Sequence, residues 1–582
     1  GACGNACEGE NAEFVCVESE CTITSCNDGY VDCSAEEPGC ETEDAGLPGS
    51  PAPFLPMAGA YTGAVRAEKS LKPKFAWRAP DVEGSCGALT YEIELTRECV
   101  PGELQECTFD DSDVREVGIE ATEWTPSEPL PVSDVVPVGA LYAWRVRACD
   151  APARCSEWSR VSYVNVGRLI DDINADGYSD VVELDGSAEV AGVFFNGDGV
   201  TPLGANTPIG EALIGNAAEG RFTGDVNGDN FPDLVVWSEW DSSVVPRVIL
   251  GAASPADWAS VVMSAPLAVR HRAGRVGDVN SDGFADVAVS EFQFASDSAT
   301  PQAVVRLYRG HAEFSLSAPV NVVSPQGTDR AGFGVALEGG IDSNADGFPD
   351  LFTLDDSEGL IHVLHGASEI QSEIAETIES AALVSIDVAP SPQLLAVGDT
   401  DLDGYGDLAA FVINSDDSTD NAVIQVFRGG PELSTNPASN VVIDAADGIR
   451  WVGGRDLGSD GRGDVVILAR YLFSGSAGYL GRVRALPGSA GDQTASDLVE
   501  VADFGEPLDN YGSLALGDYD GDGAADLTIR IPDSKRRLFL GGKAAASNAS
   551  CVQPATSFSQ IGDWCSVETS VLASPHAEAA VR

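Results

Sequence analysis

Asp518-Tyr519-Asp520-Gly521-Asp522-Gly523-Ala524-Ala525-Asp526 is the last of seven near-copies of one nine-residue phrase, and reading that phrase decides the fold. The others are DINADGYSD (172–180), DVNGDNFPD (225–233), DVNSDGFAD (278–286), DSNADGFPD (342–350), DTDLDGYGD (399–407) and DLGSDGRGD (456–464). Successive starts lie 53, 53, 64, 57, 57 and 62 residues apart. Each phrase leads into an apolar run such as DLVVW, DVAVS or DLFTL. A third run follows and ends in Gly, as in RVILG, VRLYRG, IHVLHG, IQVFRG and RLFLG. A looser fourth segment (PVNVV, NVVI) leads to the next unit. Four short strands in a unit of about 60 residues describe one propeller blade, and residues 167–582 hold about seven such units.

Within the phrase, D-x-[DN]-x-D-G-x-x-D, side-chain oxygen falls at positions 1, 3, 5 and 9, and position 7 can turn a backbone carbonyl inward. Ca²⁺ takes six to eight oxygens in flexible geometry, whereas Mg²⁺ asks for strict octahedra and Zn²⁺ for His or Cys. The candidate ligands are Asp172, Asn174, Asp176, Tyr178 and Asp180 in the first loop, and Asp225, Asn227, Asp229, Phe231 and Asp233 in the second. Asp278, Asn280, Asp282, Phe284 and Asp286 follow in the third, and Asp342, Asn344, Asp346, Phe348 and Asp350 in the fourth. The fifth offers Asp399, Asp401, Asp403, Tyr405 and Asp407; the sixth Asp456, Asp460, Arg462 and Asp464; the seventh Asp518, Asp520, Asp522, Ala524 and Asp526. Tyr178, Phe231, Phe284, Phe348, Tyr405, Arg462 and Ala524 would act through their carbonyls. Position 6 needs a left-handed backbone, hence Gly in six loops and Asn230 in the second, Asn being the next most tolerant residue. Ligand charge ranks the loops at 399 and 518 strongest. The loop at 456 ranks weakest, because Gly458 leaves position 3 without an oxygen.

GFGVALEGGIDSNADGFPDLFTL (332–354) and YGSLALGDYDGDGAADLTI (511–529) resemble the FG-GAP repeat of integrin α-subunit propellers and of related secreted bacterial proteins. The Phe/Tyr-Gly pair is clear only at 333–334 and 511–512, while the Asp loop recurs in all seven units. The resemblance covers about 70% of the chain. It implies a seven-bladed propeller with Ca²⁺ loops and a role in recognition and adhesion rather than catalysis.

The chain upstream is different in kind. Residues 1–50 hold seven of the 14 cysteines in a Gly/Glu/Asp-rich context, a small module that needs disulfide staples. PGSPAPFLP (48–56) reads as a linker. Residues 51–166 alternate apolar and polar positions, as in LTYEIELTREC and ALYAWRVRACD, the period of half-buried strands. This stretch resembles a fibronectin type III sandwich, which implies Trp77 in the core and Tyr142 at the tyrosine corner. Cys149 and Cys155 flank a five-residue turn and are placed to close it. The fold class expected is therefore all-β: a Cys-rich segment (1–50), a β-sandwich (51–166) and a seven-bladed β-propeller (167–582).

Composition narrows the function. Asp+Glu number 92 against 33 Lys+Arg, a formal charge of −59 that seven Ca²⁺ would bring to −45. Such a chain repels nucleic acid and anionic membrane and attracts divalent cations. No run of 18 apolar residues spans a membrane. Cysteines clustered in 3–40, 86–155 and at 551 and 565, with no CxxC and scattered His, point to disulfides in an oxidising space rather than to zinc. A processed signal peptide fits this location, and Gly1-Ala2-Cys3 would suit a lipid anchor at Cys3. No GxSxG, HExxH or P-loop appears, so a non-enzymatic role is expected. The RGD of Arg462-Gly463-Asp464 belongs to the sixth loop and is not read as adhesive. The expected function is an extracellular, Ca²⁺-binding recognition protein of the bacterial surface with a protein or glycan partner. A self-assembling fibre or coat subunit, and a hydrolase or lyase on a propeller scaffold, are the alternatives.

Overall fold

The computed structural model describes residues 47–540 apart from 81–87, 152–153, 185–189, 194–206, 210, 216, 218, 239–243, 264–269, 293–302, 328–331, 381–392, 417–418, 445–448, 458–459, 473–478, 508–513, 520–524 and 532–534. Outside that range it describes the strand segments 12–17, 20–27, 30–31, 42–43, 550–552 and 564–569. The chain is all-β: among the described residues the one α-helix is Glu211–Ile214, a single turn. No helix among them is long and apolar enough to cross a membrane.

Two sheets form the first body. Ala52–Leu55, Phe75–Arg78 and Glu123–Trp124 make a three-stranded sheet. Ala60–Thr62, Ser162–Val166, Ala140–Ala151, Thr90–Thr96 and Val114–Ile119 run side by side in a second, with Arg154–Cys155 hairpinned onto Ala140–Ala151. The alternation read from the sequence is realised here. Tyr142, Trp144, Val146 and Ala148 point into one core with Phe75, Trp77, Tyr91 and Ile93. The Tyr142 hydroxyl donates to the Pro131 carbonyl 2.5 Å away, which satisfies a buried phenol that would otherwise be costly. Cys149–Cys155 is a disulfide, as is Cys99–Cys107. The stretch 48–56 is not a linker throughout. Its Ala52–Leu55 is an edge strand on Phe75–Arg78, an allowed place for the prolines because an edge leaves one side without a ladder partner.

From residue 181 on, the described strands form successive small antiparallel sheets, a propeller-like succession. The first has three strands (Val181–Leu184, Val190–Val193, Thr207–Ile209) and the last has five. In the last, Cys551 is the register partner of Cys565. Those between are four-stranded meanders, for example Phe333–Ile341, Asp350–Asp355, Leu360–Leu364 and Glu376–Glu379. From the second Asp loop on, the strand entering the loop packs beside its counterpart in the next sheet: Glu219–Gly224, Arg270–Arg275, Phe333–Ile341, Gln393–Gly398, Ile449–Arg455 and Leu514–Gly517 follow one another in this way. The succession returns on itself. Ser179 N–H donates to the Asp518 carbonyl, Asp518 N–H donates to Ser179 Oγ, and Arg455 pairs with Asp171.

Because the sheets stack face to face, their second and third strands are buried on both sides and read as unbroken apolar runs. Asp233–Trp237 and Leu360–Leu364 are buried at every position. Each sheet-to-sheet seam has its own core. Phe352, Ile361 and Val363 of one sheet meet Leu408, Ala410 and Phe427 of the next, and Phe411, Ile424 and Val426 meet Val465 and Ile467.

One seam contains an anomaly. His271 is 1% exposed, and neither ring nitrogen has a hydrogen-bond partner. Burial, then the nearby Arg306, pushes its pKa down to about 4. The folded state therefore holds it neutral, while the unfolded chain protonates it near pH 6.5. Stability from this residue is complete above that value and is lost as the pH falls towards 4. Over this window the urea midpoint of the unaltered protein is expected to lose ground relative to that of His271→Leu measured under the same conditions.

Candidate metal loops and their surroundings

The Asp loops are built from the position-1 carboxylate outwards. Asp342 Oδ1 accepts Asp346 N–H at 3.1 Å and Asp342 Oδ2 accepts Gly347 N–H at 2.7 Å. Asp346 Oδ1 in turn accepts Phe348 N–H at 2.9 Å. The same three bonds recur from Asp172, Asp225, Asp278, Asp399 and Asp456. One geometry is thus repeated six times. Position 6 is left-handed in all six, Asn230 included at φ 73° beside Gly at 84–96°.

Position 4 is left-handed as well: Ala175, Ser281, Ala345 and Leu402 have φ of 51–66°. Nothing in their residue type announced it. A non-Gly residue there costs about 1–2 kcal/mol, so the loop holds a backbone that its own sequence disfavours.

Position 9 has a function the spacing did not reveal. Asp350 is fully buried; its Oδ2 accepts Ser343 N–H at 2.9 Å and its Oδ1 accepts Gly366 N–H at 3.0 Å. Asp233, Asp286, Asp407 and Asp464 tie the same two points, position 2 of the loop and the Gly that ends the third strand. That Gly recurs because a Cβ there would meet backbone: 2.4 Å from the Pro232 carbonyl oxygen at Gly251 and 2.3 Å from that of Ala285 at Gly310. In Asp233, Asp286 and Asp464 each oxygen still has a lone pair after accepting one amide, whereas Asp350 Oδ2 and Asp407 Oδ2 also accept a hydroxyl.

Position 3 is where unsatisfied oxygen sits. In the second, third and fourth loops the Asn Nδ2 donates to the position-5 carboxylate at 3.0 Å. Asn174 Oδ1 and Asn280 Oδ1 are buried without a hydrogen-bond partner. In the fifth loop Asp401 replaces Asn, and Asp399, Asp401 and Asp403 bring carboxylate oxygens within 4.8 Å of one another. An all-oxygen set with orphaned buried oxygens fits a hard divalent cation and has no nitrogen or sulfur for a softer one. Gly458, Asp520, Asp522 and Ala524 lie outside the described residues, so the ranking of the sixth and seventh loops rests on sequence.

The electrostatics agree. Burial first, and the neighbouring Asp176 second, raise Asp172 to about 8. Burial and the position-5 carboxylates raise Asp225 and Asp278 to about 7, and burial with Asp350 and Asp346 does the same for Asp342. Asp399 is raised to about 6 by burial and then Asp403. Carboxylates so placed call for a proton or a metal ion.

The sequence reading missed the cations around the loops. Arg309 pairs with Asp282 at 2.8 Å, Arg428 with Asp401 at 3.0 Å, and His365 with Asp350 at 3.2 Å and Glu376 at 2.8 Å. All three precede the Gly that ends the third strand (YRG, LHG, FRG), a pattern that was visible. The RGD tripeptide is folded inward as expected. Asp464 is 4% exposed and doubly bonded to backbone, and Arg462 Nη1 donates to the Thr400 carbonyl.

At the loop end lies a cavity of about 170 Å³. It is floored by strand ends such as Gly277, Gly340 and Gly398 and covered by residues 53–61.

No protein-family model matches the chain. A 208-residue segment is 24% identical to integrin alpha-V of Gallus gallus. The match spans 33% of this chain and 20% of that protein, so this chain covers about a fifth of its relative's length. Among solved structures, the β-propeller domain of Vanderwaltozyma polyspora Nup133 aligns with 46% of this chain and 89% of its own at 7% identity and a TM-score of 0.21. An α-L-rhamnosidase from Dictyoglumus thermophilum aligns with 40% of this chain and 31% of its own, at 12% identity and a TM-score of 0.17. At these scores neither superposition bears on fold or activity. The integrin alpha-V match is a similarity in sequence over part of each chain.

Proposed function

We propose that this protein is an extracellular, Ca²⁺-binding recognition protein of the cell surface. In this reading residues 167–582 form a seven-bladed propeller, residues 51–166 a fibronectin type III-like sandwich, and residues 1–50 a disulfide-rich module. The observation that carries it is the sixfold recurrence of one buried, carboxylate-lined loop at equivalent places in successive sheets. Positions 1, 3 and 5 and the carbonyl of position 7 would hold the ion, with position 9 closing the site from below. Ca²⁺ would neutralise carboxylates that otherwise hold protons, and would hold the left-handed backbone at position 4.

The segment shared with integrin alpha-V supports recognition rather than catalysis as the role. The disulfides support an oxidising, extracellular location. The sandwich sits at the loop end, so a protein or glycan ligand would be met at the opposite end, where the second and third strands of each sheet turn.

Isothermal titration of metal-free protein tests the metal reading directly. Uptake of about five or more Ca²⁺ per chain, with Mg²⁺ far weaker, is expected. No saturable Ca²⁺ uptake would overturn it.

A further inference from the structure

The end of the propeller-like body that carries the Asp loops is not open to solvent along its length. Residues 52–168 of the first body lie on it, and they touch six loops in turn.

At the first loop, a Cβ on Gly177 would lie 2.8 Å from Ala67 Cβ. At the second, Val138 N–H donates to the Gly228 carbonyl at 3.0 Å, and Asn230 Nδ2 donates to the Gly167 carbonyl at 2.6 Å. At the third, Asp278 N–H donates to the Tyr61 hydroxyl, and Pro137 abuts Gly283. At the fourth, the Tyr163 hydroxyl donates to Asp342 Oδ2 at 3.1 Å and Gly102 N–H donates to the Asp346 carbonyl at 2.7 Å. Leu104 closes over Gly347, where a Cβ would lie 2.8 Å from its Cδ1. At the fifth and sixth, Arg160 and Phe54 occupy the space that a Cβ on Gly404 or Gly461 would need.

In the five of these loops that have Gly at position 6, that residue serves twice, whereas Asn230 in the second loop makes the contact with its own side chain. The Gly supplies the left-handed backbone, and it leaves room for the docked sandwich.

Met57 also meets the strand end at Gly398, but the contacts named above are made to loop backbone and to a ligand carboxylate. Their geometry depends on the loops staying curled. Clustered carboxylates such as Asp399, Asp401 and Asp403 push a metal-free loop apart. Arg66, Arg78, Arg160 and Arg168 approach the loops from the sandwich side, but four cations are few against 23 loop carboxylates.

We propose that the loops and the sandwich form a Ca²⁺-dependent interdomain clamp: metal binding shapes the surface on which residues 52–168 dock, and docking in turn tightens metal binding. The proposal rests on the Ca²⁺ reading above. Linkage makes the two effects reciprocal, because an ion that favours the docked state must bind the docked state more tightly.

The test uses the full chain, with Ca²⁺ uptake and amide hydrogen exchange measured on the same material. Chelation is expected to speed exchange at Gly102 and Val138, whose amides donate to loop carbonyls, by about tenfold or more, while amides in Asp350–Asp355 stay protected. Leu104→Ala, which removes no ligand oxygen, is expected to weaken Ca²⁺ binding at the fourth loop about threefold or more. Ca²⁺ uptake with equal protection of Gly102 and Val138 in both conditions would overturn the clamp and leave the metal reading intact. Equal loss of protection at the sheet core would also overturn it, since the sandwich would then have no separate release. An unchanged fourth-loop affinity in folded Leu104→Ala would remove the reciprocity. Absence of any Ca²⁺ uptake would overturn both proposals.

Discussion

Removal of Ca²⁺ by a chelator at pH 8 is expected to lower the melting temperature by about 10 °C or more, and by much less at pH 5. The size follows from several sites acting together. One ion at a hundred times its dissociation constant stabilises the folded state by about 2.7 kcal/mol, and each such increment moves the melting temperature of a large domain by several degrees.

The pH dependence follows from the burial of the loop carboxylates. In the metal-free folded state Asp172 is raised to about 8, Asp225, Asp278, Asp342 and Asp407 to about 7, and Asp399 to about 6. In the unfolded chain each titrates near 4. Between these values the folded state binds more protons than the unfolded one. Metal-free stability is therefore greatest at the acid end of the window and declines as the pH rises through 6 to 8. This is the reverse of a salt-bridged Asp. Ca²⁺ competes with protons for the same oxygens, so its stabilising effect grows with pH as the competition fades. Differential scanning calorimetry at pH 5, 6.5 and 8, with Ca²⁺ and with chelator, reads both trends. A gap that is absent, or that narrows with rising pH, would refute the account.

The second large effect separates structural from metal-binding Asp. Asp407→Asn is expected to destabilise the protein by about 3 kcal/mol whether or not Ca²⁺ is present. Asp407 is fully buried; its Oδ2 accepts both the amide and the hydroxyl of Thr400, and its Oδ1 accepts Gly429 N–H at 2.7 Å. An amide in its place turns one acceptor into a donor facing another donor.

Asp401→Asn sits in the same loop at position 3, where its side chain faces Arg428 and the loop carboxylates rather than buried amides. Its cost should appear in Ca²⁺ and largely vanish in chelator. Urea unfolding of both variants under both conditions distinguishes them. Equal behaviour of the two would mean that position 9 is only a ligand, or that position 3 is only structural.

The two variants also mark the limit of what could be read before the fold was known. The phrase D-x-[DN]-x-D-G-x-x-D announced its turn, its left-handed sixth position and the exceptional Asn230, because these depend on bonds between residues two to five apart. The strands announced themselves through apolar runs, and the disulfide Cys149–Cys155 through a short turn. These features are written locally and repeated, so chance cannot imitate them.

Position 9 was legible as an oxygen but not as a tie, since its second partner, the Gly closing the third strand, lies 16 to 24 residues on in contacts such as Asp350–Gly366 and Asp464–Gly488. The prolines at 51, 53 and 56 hid the edge strand Ala52–Leu55, whose pairing with Phe75–Arg78 is what makes it a strand.

The Asp loops, their recurrence and their oxygen-rich character were thus legible from residue type and spacing alone. That residues 52–168 cover them was decided only by tertiary structure. Tyr163 reaches Asp342 across 179 residues and Asn230 reaches Gly167 across 63, and contacts between separately folded surfaces leave no period and no spacing in the chain.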